Sequence, residues 1–405
     1  MTGQSGLSKQ RLENISNHLQ ERYITPGKIA GAVTLVHRKN ETAFFEAQGQ
    51  SVLESNKPME KDTIFRIYSM TKPITSLALM QLHEQAKFQL SDPVHRFIPK
   101  WKNLRVYDSG SRRLMVTRAP ERPMQIHDLL THTSGLTYGF TERTNVDAMY
   151  REAAIGCLDR PFKGNLQDMV DGLAELPLEF SPGTKWNYSV ATDVLGHLIE
   201  VISDMPLDDY FKEHIFKPLD MADTDFYVPE DKIDRFAACY MRGSKGEIKL
   251  QDDPVNSHYT RKPKLLAGGA GLVSTASDYL NFAKALLNGG ELNGERIIGR
   301  KTLEFMTSNH LPEDKDLGQI AVGKFSESLY EGVGFGLGFS VSLDPTQSKT
   351  ISSVGEYAWG GAASTAFWVD PVEDLVVVFM AQYMPSTIYN FRGQLKQLVY
   401  GAICD

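Results

Sequence analysis

The run Ser69-Met70-Thr71-Lys72-Pro73-Ile74-Thr75-Ser76-Leu77-Ala78-Leu79-Met80 joins a hydroxyl and an amine to the start of an apolar helix. Pro73 suits a first helical turn, where its missing N–H would have had no partner. Residues three apart share a helix face, so Ser69 and Lys72 can bring hydroxyl and amine within hydrogen-bond reach. Unpaired N–H groups and the positive dipole end favour a neutral lysine there, able to take a proton from the serine. They also supply an N–H for an oxyanion. A solvated lysine on an ordinary helix has the same spelling, so the run requires support from elsewhere in the chain.

Two further segments offer it. Phe180-Ser181-Pro182-Gly183-Thr184-Lys185-Trp186-Asn187-Tyr188-Ser189 is a turn leading into a helix, and a tyrosine held there could share a proton relay with lysine. The plainer alternative for Tyr188 is a half-buried ring with its hydroxyl bonded to backbone. Trp359-Gly360-Gly361-Ala362-Ala363-Ser364 runs into a strand over Thr365 to Val369. Two glycines at a strand start allow close approach of a backbone or a ligand, and an N–H there could complete an oxyanion hole; a bulge or tight turn is the alternative.

Outward from these segments, both ends of the chain read as sheet. Leu12, Ile15, Leu19 and Tyr23 form one helical face, with Ser8 as N-cap. Ile29 to Val36 and Thr42 to Ala47 read as a hairpin across Arg38-Lys39-Asn40-Glu41. Leu375 to Ala381 follows the loop Asp370 to Asp374, and its apolar run suits a central strand covered on each side. A closing helix is expected over Tyr389 to Ala402. Between the ends, Met124 to Thr131, Leu166 to Leu176 and Ser189 to Ser203 have helical patterns, and Ser277 to Leu287 is a capped helix ending at Asn288-Gly289-Gly290. The expectation is an α+β fold whose sheet is built from both termini, residues 1–68 and 265–405. A mainly helical lobe, 69–264, is inserted between them, with the site in the cleft.

Composition narrows the classes. At 405 residues and 41% hydrophobic content the chain can bury a sizeable core, which excludes a disordered tail or a disulfide scaffold. Net charge of −7 with no basic stripe argues against nucleic acid as partner. No apolar stretch approaches the roughly 20 residues needed to span a bilayer. Cys157, Cys239 and Cys404 are scattered, without a C-x-x-C pair, and no signal peptide is visible, so the expected location is the cytoplasm, with the periplasm or secretion as the alternative if a signal peptide has been removed. The ten histidines show no zinc-ligand spacing, so no metal or other cofactor is expected. Gly334, Gly336 and Gly338 read as close sheet packing, and Glu313-Asp314-Lys315-Asp316 as a solvated loop.

Taken in order, Ser69-x-x-Lys72, Tyr188-Ser189 and Trp359-Gly360-Gly361 resemble the serine β-lactamase/penicillin-binding-protein superfamily, and within it the family VIII carboxylesterases. Leu129-Leu130-Thr131-His132-Thr133-Ser134-Gly135-Leu136, Gly268-Gly269-Ala270-Gly271-Leu272 and Gly336-Leu337-Gly338-Phe339 add to the likeness, which runs from Ile29 to Tyr383. The resemblance implies a β-lactamase/transpeptidase-like fold. It implies Ser69 as acylated nucleophile, Lys72 and Tyr188 as the pair that removes and returns its proton, and the N–H groups of Ser69 and Ala362 as oxyanion hole. Trp359, Gly360 and Gly361 match its substrate-binding strand, while His132 is read as structural. No Gly-x-Ser-x-Gly elbow offers a Ser-His-Asp alternative.

Two departures bear on the substrate. Penicillin-processing relatives carry Lys-Thr-Gly where this chain has Trp359-Gly360-Gly361, so a cation and a hydroxyl for a substrate carboxylate are missing. Val190 stands where class C enzymes have the asparagine of Tyr-x-Asn. Both point to a small neutral ester of short to medium acyl chain, cleaved through an acyl-enzyme. A β-lactamase or D-peptidase, an acyltransferase, and an inactive binding scaffold are the alternatives. Oligomeric state is not legible.

Overall fold

The computed structural model describes residues 4–157, 160–323 and 329–405. Helix α1 (Lys9–Leu19) begins where the Ser8 hydroxyl accepts the Arg11 N–H, and buries Leu12, Ile15 and Leu19. It is followed by a hairpin of β1 (Gly31–Arg38) and β2 (Glu41–Val52). Lys39 and Asn40 close it at φ of 50° and 60°, the left-handed pair whose twist matches the flanking strands. β3 (Lys57–Pro58) extends this edge.

The C-terminal part supplies β4 (Val333–Phe335), β5 (Ser340–Ser342), β6 (Tyr357–Gly360), β7 (Ala366–Asp370) and β8 (Leu375–Ala381). All eight strands form one sheet in the order β4-β5-β6-β7-β8-β1-β2-β3, with every pairing antiparallel. β8 lies between β7 and β1, setting Val33 opposite Met380 and Leu35 opposite Val378. The sheet is therefore joined from both termini, as the apolar runs at each end require.

Alternation along the strands divides the core. Val33, Leu35, Phe367, Val376 and Val378 face a large core shared with three helices: α2 (Thr71–Glu84), α3 (Ala191–Ser203) and α4 (Ala276–Leu287). Ala32, Val36, Trp368, Val377 and Phe379 face the opposite way, onto α1 and α5 (Phe391–Tyr400). Each large apolar side chain so covered contributes about 1.5–3 kcal/mol. β8, buried at all seven residues, has no solvent face to spare, which fixes it as a central strand. α2 is buried from Thr71 to Leu82, its polar Thr71, Lys72, Thr75, Ser76 and Gln81 included.

Some local expectations are corrected. The middle of the chain is not only helical: Val106–Ser111 pairs with Leu114–Arg118, and Cys239–Arg242 with Ile248–Asp252. The first of these hairpins leaves Leu114 81% exposed, so no buried face gave it a period-two signature. Asp316 is not a solvated residue. It caps the short helix Leu317–Ile320 and accepts the Gly332 N–H at 2.8 Å, while Glu313 and Lys315 pair on the surface. The alternating glycines serve packing: a Cβ at Gly338 would lie 2.3 Å from Ser76 Oγ on α2, and one at Gly334 2.5 Å from Asn309 Oδ1.

Candidate active site

Ser69 lies in a single 3₁₀ turn, Tyr68–Met70, that feeds α2, and Lys72 is the second residue of that helix. Tyr68, immediately before the serine, is held at φ 42°, a left-handed conformation costly for a bulky residue. Strain of this kind persists only where the surroundings over-determine it. Here they do: Tyr68 is half-buried and Ser69 buried, the Ile67 N–H donates to Leu272 O at 3.1 Å, and the Met70 N–H donates to Ile67 O at 3.0 Å.

Lys72 is 1% exposed. Its Nζ lies 3.3 Å from Ser69 Oγ and donates to Gly269 O at 2.7 Å. The same nitrogen is 4.5 Å from the centroid of the Tyr188 ring and 5.5 Å from that of Tyr138. Serine, lysine and tyrosine, 119 residues apart in sequence at their extremes, thus converge on one ammonium-sized volume.

Tyr188 owes its place to the segment before α3. The Asn187 N–H donates to His132 O at 2.9 Å, and the Asn187 amide donates to Leu136 O at 2.9 Å. Arg143 in turn donates to Asn187 Oδ1 at 2.7 Å. His132, itself at φ 56°, sets its ring 5.0 Å from that of Tyr188 and bonds Ser189 Oγ through Nδ1 at 3.2 Å. Burial, with Lys72 adding to it, holds this imidazole well below the usual histidine range, so it is a neutral support for the tyrosine. Burial likewise raises the Tyr138 phenol far above its ordinary range, with Tyr188 and Asp193 adding to the effect.

The third segment closes the site from the sheet. Trp359, 2% exposed, packs its ring 5.5 Å from Tyr188 and 5.4 Å from Phe335. Gly361 abuts the backbone just before the serine: a Cβ there would lie 2.4 Å from Ile67 O. At Gly360 a Cβ would meet Arg392 Nη2 at 2.2 Å, so this glycine admits a guanidinium from α5 behind the strand. Both glycines are accounted for by protein neighbours. Ala362 sits in the ensuing turn, where the Gly361 N–H donates to Thr365 O and the Ser364 N–H to Gly361 O. The Ala362 N–H has no acceptor among the described residues.

Two neighbours of Lys72 have no role in the sequence reading. One is the Gly269 carbonyl that accepts from Lys72. The other is Asp193, a buried carboxylate in the first turn of α3 whose Oδ1 accepts the Gly269 N–H at 2.9 Å. Burial raises its affinity for a proton, and Lys72 and the Gly269 N–H oppose that rise. A lone acid in the apolar run Ala191 to Ile199 was the available signal for it. Among the described residues, no group of His, Cys, Asp and Glu is placed to hold a metal ion, and no helix is long and apolar enough to cross a membrane.

An antiparallel sheet flanked by helices, with Ser-x-x-Lys at the head of a buried helix and a tyrosine over the lysine, defines a protein of the β-lactamase/penicillin-binding-protein type. The chain belongs to the Beta-lactamase family, whose family model matches residues 17–399. It is 31% identical over 369 residues to the esterase EstB of Burkholderia gladioli, covering 87% of this chain and 86% of that one. It is 26% identical over 358 residues to the acyltransferase calJ of Penicillium decumbens, covering 85% and 82% of the two chains. Its structure superposes on EstCE1, a hydrolase with promiscuous acyltransferase activity, with a TM-score of 0.81, 26% identity, and 98% and 99% of the chains covered.

Proposed function

We propose that this protein is a serine enzyme of carboxylic esters that moves an acyl group from an alcohol onto Ser69 and then to water or a second alcohol. The observation that carries the reading is Lys72 Nζ, within reach of Ser69 Oγ and beneath the Tyr188 ring. Ser69 Oγ attacks the ester carbonyl, its proton passing to the Lys72–Tyr188 pair, and the oxyanion rests on the N–H groups of Ser69 and Ala362. Collapse breaks the carbon–oxygen bond to the alcohol, which leaves with that proton. The acceptor then gives a proton back to the pair as it attacks the acyl-serine, freeing Ser69.

Acyl transfer belongs to this reading beside hydrolysis. Ser69 is 7% exposed and Tyr188 4%, so an acyl group on Ser69 would lie in a largely enclosed site, where a bound alcohol competes with water for the same carbonyl. EstB is named an esterase, calJ an acyltransferase, and EstCE1 a hydrolase with promiscuous acyltransferase activity, and both kinds of outcome would follow from an acyl group on Ser69. In the same reading Trp359, Gly360 and Gly361 line the substrate's path, the indole as an apolar wall and the glycines through their backbone. Residues 1–68 and 265–405 form the sheet lobe and 69–264 the helical lobe, with the site at their junction.

The test is a panel of p-nitrophenyl acetate, butyrate and octanoate with a chromogenic cephalosporin, each with and without added 1-butanol. Short esters are expected to turn over faster than the cephalosporin by about 10- to 100-fold, the value of one hydrogen bond to a charged group missing at Trp359. Butyl butyrate is expected among the products when butanol is present. Cephalosporin turnover matching that of the esters would favour a β-lactamase, and no turnover of either would favour a scaffold.

A further inference from the structure

Lys72 is held by more than the serine and tyrosine of its motifs. Its Nζ donates to Gly269 O, and the N–H of that same Gly269 residue donates to Asp193 Oδ1. A Cβ at Gly269 would stand 2.8 Å from Asp193 Oδ2, so the carboxylate is packed directly on this backbone. The neighbouring carbonyl, Gly268 O, accepts from Thr75 Oγ1 on α2 at 2.6 Å. The Gly268–Gly269 turn is thus clamped between α2 and α3, with Asp193 as its acidic anchor.

We propose that Asp193 is a positioning residue for Lys72: it fixes the Gly269 carbonyl on Nζ, and its negative charge keeps the ammonium form of Lys72 as the resting state. This rests on the roles given above to Ser69 and Lys72. The titratable groups facing Lys72 are His132 from the turn after residue 130, Tyr138 and Tyr188 from the flanking loops, and Asp193 from α3. His132 is neutral and the Tyr138 phenol is protonated, so Asp193 is the carboxylate of this set that faces the ammonium, and Lys72 opposes the rise in proton affinity that burial gives it. In a site this dry, opposite charges reinforce each other strongly. The helix terminus alone would favour a neutral lysine, and Asp193 opposes it.

The consequence is a division of labour. An ammonium 4.5 Å from the Tyr188 ring centroid favours the phenolate of that tyrosine. Tyr188 Oη then takes the Ser69 proton, while Lys72 keeps its own and steadies the developing alkoxide. The ammonium is required throughout, so kcat/KM falls as pH rises through the Lys72 midpoint. Removing the Asp193 charge lowers that midpoint, and activity is lost at lower pH.

The test follows the lysine directly. Lysine Nζ is labelled with ¹⁵N, the Lys72 signal is assigned through Lys72→Arg, and its midpoint is measured in wild type, Asp193→Asn and Asp193→Glu. The expected result is a midpoint lower by about one pH unit or more in Asp193→Asn, an equal shift of the basic limb of kcat/KM, and a midpoint near wild type in Asp193→Glu. Asp193→Ser serves as the neutral variant if the asparagine does not fold. An unmoved midpoint in a folded neutral variant overturns the inference, whatever the activity. If the midpoint falls on substitution but the wild type turns over no ester, Asp193 keeps its role and the esterase reading is lost.

Discussion

Ser69→Ala is expected to lower kcat/KM for p-nitrophenyl butyrate by on the order of 10⁴ or more, with an unchanged fold by circular dichroism. That loss corresponds to about 5 kcal/mol of transition-state stabilisation. It is large because, in the proposed reaction, the serine oxygen forms the covalent intermediate, while Lys72 Nζ, 3.3 Å from it, is held by Gly269 O. The fold survives because one buried hydroxyl is removed from a turn whose geometry rests on backbone bonds of Ile67 and Met70. Residual turnover would come from the oxyanion donors acting on bound ester and water. Steady-state kinetics with active-site-free controls checks the expectation, and a loss under tenfold would move the chemistry to another residue.

The second large effect is at the tyrosine. Tyr188→Phe keeps the ring that packs 5.0 Å from His132 and 5.5 Å from Trp359, and removes only the oxygen. General acid–base assistance is worth about 10²- to 10⁴-fold, so kcat is expected to fall by that range with KM little changed. A structural tyrosine would behave differently, lowering the thermal midpoint while leaving kcat in place. Kinetics and a melting curve on one sample distinguish the two. The comparison with Ser69→Ala also matters: residues acting as one unit give non-additive losses, so the double variant is expected to be no slower than Ser69→Ala alone.

Much of this was legible in the sequence because it depends on local pattern. Apolar runs such as Leu375 to Ala381 must be covered on two faces, and here the runs from both ends join in one sheet. Ser69-x-x-Lys72 is a spacing within one helical turn, and the order of the other segments is a property of the string itself. The parts that were not legible act through backbone atoms or across long separations. Gly269 meets Lys72 through a carbonyl, which every residue possesses, at a separation of 197 positions. Asp193 reads as an ordinary acid in a first helical turn, where the dipole welcomes one, until its partner on Gly269 is seen. Gly360 reads as room for a backbone or a ligand, or as a bulge, and the structure sets Arg392 from α5 against it. Asp316 looked solvated because its capping partners, Gln319 and Gly332, lie downstream of the charged cluster. The polar hairpin Val106–Arg118 buries too little to leave a periodic trace.

In the proposed reaction the glycines at 360 and 361 also hold the oxyanion turn in place, besides lining the substrate's path. Gly361 lets the strand end lie against Ile67, and Gly360 lets Arg392 brace it from behind, with Nη2 donating to Thr365 O at 3.2 Å. The Ala362 N–H is thereby aimed from a turn fixed on two sides. Preorganised donors of this kind are effective because no reorganisation is needed when the oxyanion forms.

The central claim is a covalent acyl group on Ser69, and the most direct measurement is mass spectrometry of the protein quenched in acid within milliseconds of mixing with p-nitrophenyl butyrate. One butyryl group is expected on the intact chain, on the peptide containing Ser69, and absent from Ser69→Ala. It should decay with the steady-state turnover rate, faster when butanol is added. Ester turnover with no acyl group on Ser69, or with one on another residue, would contradict the account.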